Sequence, residues 1–358
     1  MAAFTVRVRR LRALALREAE ALLVTHLPNL LYLTGFSGTT GVLVVTASEV
    51  TLFTPPLYAE QARREAPSAR VRPVGTDPLA AATGWLTHRR PARVAYEKPR
   101  LTLSQFEALR QGLGPRVELV GLAGAVERLR AVKDKAEVGL IRDSVQVTAG
   151  VFEQVLALVR PGVREIDLAA EIEYRMKQQG ARGPAFETIV ASGPRAALPH
   201  ARASRKRLAR NELVVFDLGA ILSGYHSDMT RTVYLGKPSA RVKRTYRAVR
   251  DALERARETL AAGVPAAQVD RASRSVLGRR GLGRYFVHGT GHGVGLEIHE
   301  EPRVGRTSDA TLAAGNVITL EPGAYIPGWG GVRIEDVVVV RRRGAETLTP
   351  LSTELLCL

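Results

Sequence analysis

Three of the seven histidines in this 358-residue chain fall in one glycine-laced stretch, "HGTGHGVGLEIHE" at 288–300. Imidazoles can ligate metals, move protons or hold polar groups of a substrate, yet a cluster of them decides nothing without partners. The stretch is not a dinucleotide fingerprint, because after Gly289 and Gly291 the place of the third glycine is taken by Val294. It is not a zincin helix either, since no second histidine follows His299-Glu300-Glu301-Pro302 at the required distance. Alternating glycines instead let a strand run close beside another backbone. On such a strand His288 and His292 would point to one face.

The acids that could answer those histidines sit in a repeat. Gly162 and Gly180 bracket one interval of helical periodicity and Gly263 and Gly281 another, each pair 18 residues apart and the two offset by 101. "LVVFDLGA" (213–220) matches "VITLEPGA" (317–324) and sets Asp217 against Glu321. "SDMTRTVYL" (227–235) matches "IEDVVVV" (334–340) and sets Asp228 against Glu335. Duplicated halves generally pack about a pseudo-twofold axis, so the four acids should converge. Four carboxylates cannot stay ionised together in a buried cleft; protonation or cations must cancel their repulsion and desolvation. Two divalent ions sharing carboxylates would lie about 3.5–4 Å apart and could clamp a hydroxide. One histidine of the strip could then ligate metal while another faces substrate.

The elements that position these groups belong to two domains. "GVLVVT" (41–46), "EVTLFTP" (49–55), "RVAYE" (93–97) and "VELVG" (117–121) read as strands, with helices at 57–66 and 103–113, which makes residues 1–124 an α/β domain. The helix-prone segment 126–144 leads into the second domain, 125–358, an α+β unit with the internal repeat. Arg17, Glu18 and Glu20 interrupt the apolar run of the basic N-terminus, which reads as an amphipathic helix rather than an export signal. The lone cysteine, Cys357, excludes an intrachain disulfide framework and a thiolate metal site, and no apolar run of about 18 residues offers a membrane span. These features point to a cytoplasmic protein with no membrane partner. The formal charge of +17 comes from arginines scattered among glutamates, with only seven lysines. The densest basic run, "HARASRKRLAR" (200–210), lacks aromatic residues for stacking on bases, so no specific nucleic-acid partner is expected.

Taken together, "HGTGHGVGLEIHEEP", "VVFDLGAILSGYHSDMTRTVYLG", "ITLEPGAYI" and "GVRIEDVVVV" resemble the metal-binding segments of the pita-bread metallopeptidases. "SGPRAALPHARAS" (192–204) and "YLTGFSGTTGVLVVT" (32–46) resemble the Xaa-Pro peptidases within that group, aminopeptidase P and prolidase. The likeness spans essentially the whole chain. It implies a creatinase-like N-terminal domain, which would shape the active-site mouth and supply dimer contacts, followed by a pita-bread catalytic domain. It also implies that Asp217 binds one metal, Asp228 and Glu335 bridge two, and His292 and Glu321 complete the second. Glu321 would be the general base for a bridging hydroxide that attacks the scissile carbonyl. His288 and His299 would assist catalysis and, with His200 and Arg333, form the substrate site, Arg333 also supporting the carboxylates. An oxygen-dominated ligand set favours Mn²⁺, with Co²⁺ or Zn²⁺ as substitutes. Catalytically inactive relatives typically lose ligands, and all five are present here.

The substrate expected from this resemblance is a peptide with proline second, whose Xaa-Pro tertiary amide ordinary peptidases accommodate poorly. A dipeptidase must anchor the proline carboxylate, usually with an arginine, and "TPPLYAEQA" (54–62) lacks the arginine many relatives carry there. That absence favours aminopeptidase P over prolidase, although Arg195, standing where many relatives have asparagine, or a partner subunit is an alternative anchor. A homodimer, with a tetramer as a further option, completes the expectation.

Overall fold

The structure is a computed structural model describing residues 2–358. Two compact units divide after Arg130, six residues beyond the boundary placed from the sequence. Helix Ala125–Ala131 goes with the first unit because Val126 is buried and the Arg130 guanidinium donates to Asn29 Oδ1 at 2.7 Å.

In the first unit six strands form one mixed sheet, in the spatial order Arg70–Pro73, Val50–Thr54, Val42–Thr46, Ala21–Val24, Arg93–Glu97, Glu118–Leu122. Val42–Thr46 runs antiparallel to both neighbours and the remaining pairs are parallel. The helices have local causes. Asp77 accepts from the amides of Leu79 and Ala80 ahead of Pro78–Arg89, and Thr102 with Gln105 makes a capping box for Leu103–Leu113. Their apolar faces, with Trp85, Leu86 and Leu109, cover Leu23, Val44, Phe53 and Val94 of the sheet. The basic N-terminal stretch forms a helix over Ala2–Ala15, as its pattern predicts.

The repeat in the second unit is borne out element by element. Helices Lys135–Leu156 and Glu165–Gln178 of the first half correspond to Ala240–Thr259 and Ala266–Arg279 of the second. All four bracketing glycines, Gly162, Gly180, Gly263 and Gly281, have φ between +72° and +93°, a conformation glycine adopts at no steric cost. The Gly162 amide donates to Leu208 O at 2.8 Å, and Gly263 to Leu312 O at the same distance. Each half has its own core, one around Ile172, Val214 and Phe216, the other around Val249, Leu277 and Ile318. The sheets run Leu356–Cys357, Met229–Leu235, Glu212–Leu218, Ile189–Ser192 and Glu300–Val304, Gly291–Gly293, Val317–Leu320, Asp336–Val340, Ala345–Thr347. Among the described residues no helix is long and apolar enough to cross a membrane.

The glycine strip shows why it needs glycine. A Cβ on Gly291 would lie 1.9 Å from Thr319 O, and one on Gly293 would lie 2.3 Å from Glu301 O. Neighbouring backbone, which cannot retreat, occupies the space a side chain would need. The strand is shorter than the spacing suggests, only Gly291–Gly293, because its register with Glu300–Val304 shifts between those residues. Gly291→Ala should therefore destabilise by about 1–3 kcal/mol. Gly139→Ala, on an open helical face, should be neutral or stabilise by up to about 1 kcal/mol. Urea unfolding of both variants checks this, and equal midpoints would contradict the packing argument.

Candidate metal centre

The four acids meet where the two halves are stitched together. Thr230 lies opposite Asp217 in the antiparallel pair Met229–Leu235 and Glu212–Leu218, with Asp228 just before the strand. In the second half Leu320 pairs with Asp336, so Glu321 and Glu335 flank the strand ends. The Glu335 amide donates to Thr230 O at 3.1 Å, and the Thr230 hydroxyl donates to Glu335 Oε2 at 2.7 Å. Thr232 Oγ1 accepts from the Arg333 amide and donates to the Arg333 carbonyl. These bonds fix the ends of the acid-bearing strands against one another.

Asp228, His292 and Glu335 each offer a ligand atom within 4.8 Å of the other two. Asp217, Asp228 and Glu335 are buried, and Glu321 is mostly covered. The His292 Nδ1 lies 3.0 Å from Gly293 O, an obligate acceptor, so the ring proton resides there. The bare Nε2 faces Asp228 Oδ2 at 3.5 Å and Glu321 Oε1 at 3.7 Å. A lone pair facing two carboxylate oxygens across these gaps has no proton to share and suits a cation. Asp217 adds a second sign: Oδ2 takes Arg333, while buried Oδ1 has no hydrogen-bond partner. The oxygen-rich donor set, a correctly oriented imidazole and an orphaned carboxylate oxygen together fit divalent cations.

The other predicted site residues take distinct places. His288 Nε2 lies 2.8 Å from Tyr325 Oη, its Nδ1 2.8 Å from Gly289 O, and Glu321 Oε2 is 3.8 Å away. Burial pushes the Tyr325 phenol up to about 12, so it stays protonated; since Tyr325 accepts from Arg333 at 2.7 Å, its own proton goes to His288. His288 is thus off the expected strand but reaches the same carboxylate as His292. The His299 ring packs edge-on to His292 at 4.3 Å. His200 is exposed, one residue after Pro199, whose carbonyl accepts from Arg333 at 3.0 Å. Arg333, grouped with the substrate residues from the sequence, donates from Nε to Thr230 and from its terminal nitrogens to Pro199, Tyr325 and Asp217. All three guanidinium nitrogens are engaged by protein acceptors, which gives it a supporting place. His226 lies in the short strand Tyr225–His226 with its amide 2.7 Å from Gly295 O. Sequence reading missed Thr230 and Tyr325. The alternation Thr230, Thr232 on one strand, in step with Asp228 just before it, was the available signal for the first.

Burial and the neighbouring acids, in that order, raise Asp228 and Glu335 well above the carboxylate range, and burial lifts Glu321 to about 8. Burial lowers His288 and His292 to about 4, keeping both neutral. Without cations Asp228, Glu321 and Glu335 therefore favour their protonated forms, and metal binding must expel those protons. A carboxyl raised on folding contributes stability below its unfolded pKa and loses it as pH rises through the folded one. The metal-stripped protein should lose stability as pH climbs from the ordinary carboxylate range to about 8, and metal should restore it with proton release. Thermal melts across that window with and without Mn²⁺, and calorimetry in buffers of different ionisation enthalpy, read this out. A flat metal-free profile would contradict it.

Known proteins share this two-domain architecture. Residues 7–132 match the Creatinase/Prolidase N-terminal domain, and residues 139–342 match Metallopeptidase family M24. An Xaa-Pro dipeptidase of Pyrococcus furiosus is 38% identical over 325 residues, 90% of this chain and 91% of that one. The structure of an Xaa-Pro dipeptidase from Bacillus anthracis superposes with a TM-score of 0.96 at 35% identity, covering 99% of this chain and 100% of that one. An X-Pro aminopeptidase from Thermotoga maritima gives a TM-score of 0.91 at 34% identity, covering 98% and 100%. With a creatinase-type N-terminal domain ahead of a duplicated pita-bread catalytic domain, the chain belongs to metallopeptidase family M24.

Proposed function

We propose that this metallopeptidase cleaves Xaa-Pro bonds, and that its preferred substrate is the dipeptide, as in a prolidase. The carboxylate–histidine cluster carries the reaction class. The names of the similar Xaa-Pro dipeptidases favour the dipeptide over the longer substrates first expected from the missing arginine at 54–62. Arg195, the alternative anchor, is engaged within the protein: its Nε is held by buried Glu165 at 2.9 Å and a terminal nitrogen by the Arg202 carbonyl. Arg303 is the better candidate. It lies on Glu300–Val304, close enough that its charge helps lower both His292 and His299. Aminopeptidase activity is the second reading, favoured by the likeness to the Thermotoga maritima enzyme.

Asp217, Asp228, His292, Glu321 and Glu335 would hold two divalent cations, with manganese as the native pair. When bound, such ions polarise the scissile carbonyl and lower the pKa of the attacking water. The rest falls to the chain. Glu321, with two oxygens turned toward His288 and His292, would take the proton of that water. Neutral His288, oriented by Tyr325, would hold the substrate polar groups beside Glu321, with His299 and His200 flanking the bond. Arg333 would keep Asp217 and Tyr325 in register. A cytoplasmic homodimer belongs to the same proposal.

Metal-stripped enzyme reloaded with Mn²⁺ should cleave Ala-Pro faster than Ala-Pro-Ala and leave Ala-Ala-Ala intact. Faster turnover of the tripeptide would make it an aminopeptidase. Arg303→Gln should raise KM for Ala-Pro and leave KM for the proline amide unchanged.

Glu321→Ala and His292→Ala should each lower kcat by at least about 10²-fold while circular dichroism shows an intact fold. Near-normal turnover by either variant would remove the proposed chemistry.

A further inference from the structure

Two acids that the metal centre does not use are among the most buried charged groups in the catalytic unit. Glu165 begins helix Glu165–Gln178, Asp270 lies in the corresponding helix Ala266–Arg279, and each is 0% exposed. Glu165 Oε1 accepts from the Ser192 amide and hydroxyl, both at 2.8 Å. Its Oε2 accepts from the Ser204 hydroxyl at 2.6 Å, the Ser204 amide at 3.1 Å and Arg195 Nε at 2.9 Å. A single carboxylate therefore ties both ends of the loop 192–204, and His200 sits inside that loop. Asp270 Oδ1 accepts from the Thr290 amide at 3.1 Å and its hydroxyl at 2.9 Å, and Oδ2 accepts from Arg274 Nε at 2.7 Å. Arg274 in turn donates to the carbonyls of Phe286, at 2.8 Å, and His288. Here too the histidine lies between the tied points.

We propose that each half of the catalytic unit uses one buried carboxylate of its second helix, Glu165 or Asp270, as the positioning residue for a substrate-site histidine, His200 or His288. The proposal rests on the reading of those histidines as substrate-site groups. The physical need is plain. Both histidines lie on irregular backbone, which outside a ladder has no intrinsic reason to stay within the few tenths of an ångström that catalysis requires. A buried carboxylate accepting several charge-assisted bonds supplies that reason, and the packed helix behind it supplies rigidity. Arg195, which departs from the residue expected in relatives, becomes part of one clamp rather than a ligand for substrate. Arg274 holds the equivalent place in the other.

The test uses full-length Mn²⁺-loaded enzyme carrying Glu165→Gln or Asp270→Asn, alone and combined with His200→Ala or His288→Ala respectively. Metal content should stay at the wild-type ratio. Amide hydrogen exchange should quicken roughly 10–100-fold, the worth of one charge-assisted hydrogen bond, at Ser192 and Ser204 in the first variant and at Thr290 in the second, with the helices still protected. Turnover of Ala-Pro should fall about 10–100-fold in kcat with KM moving less. The same substitution should cost nothing further where the partner histidine is already alanine. Should either variant fail to fold, Ser204→Ala and Arg274→Lys keep the buried carboxylate, remove part of its bonding, and enter the same cycles with smaller expected losses. Unchanged exchange at those amides overturns the clamp whatever the enzyme cleaves. Quickened exchange with unchanged kcat, or an equal loss in the histidine-free background, overturns the positioning role and leaves the peptidase reading of the wild type untouched.

Discussion

Mutual repulsion among four carboxylates at the seam of a duplicated unit is the constraint on which the rest of this structure depends. Asp217, Asp228, Glu321 and Glu335 carry four negative charges when ionised, and Arg333 is the guanidinium bonded within the cluster, to Asp217. Neutral histidines add nothing to the balance. Two divalent cations would slightly exceed the remaining deficit, leaving room for an anionic nucleophile. The fold treats the arrangement as something to be completed: it supplies rigid placement and leaves much of the neutralising charge to ligands.

Duplication provides the placement cheaply. Each half contributes a strand pair backed by two helices, each strand pair delivers two acids, and the seam joins Thr230 to Glu335 and Thr232 to Arg333. Thr230 serves both sides of the electrostatic problem. Its hydroxyl accepts from Arg333 and donates to Glu335, so one small side chain relays between the cation and the acid. The glycine strip answers a different demand. Its backbone runs so close to Thr319 and Glu301 that any side chain is excluded, and this closeness brings His292 down onto Asp228.

Much of this was legible in the residues. The glycines bracketing the helices, the matched β-rich runs and the acids within them gave the internal repeat and its four converging acids, because left-handed turns and buried charge restrict residue choice. Other parts left weaker traces. Ala21–Val24, central in its sheet and wholly buried, is four apolar residues with no alternation to separate strand from helix. The break of the 288–293 segment into a short strand and an irregular approach depends on a register shift set by the neighbouring strand, which period-two reading cannot see. Glu165 and Asp270 look in sequence like ordinary acids on amphipathic helices. Only the tertiary placement of Ser192, Ser204 and Thr290 reveals what they hold.

The seam also bears on the order of events during synthesis. Asp217 and Asp228 leave the ribosome roughly a hundred residues before the segment that gives Thr230 and Thr232 their partners at 333–335. A nascent chain that stops between the halves has two of the four acids and lacks His292, Glu321 and Glu335. The bonds that lock the two acid-bearing strand pairs together therefore form only after the second half has been made.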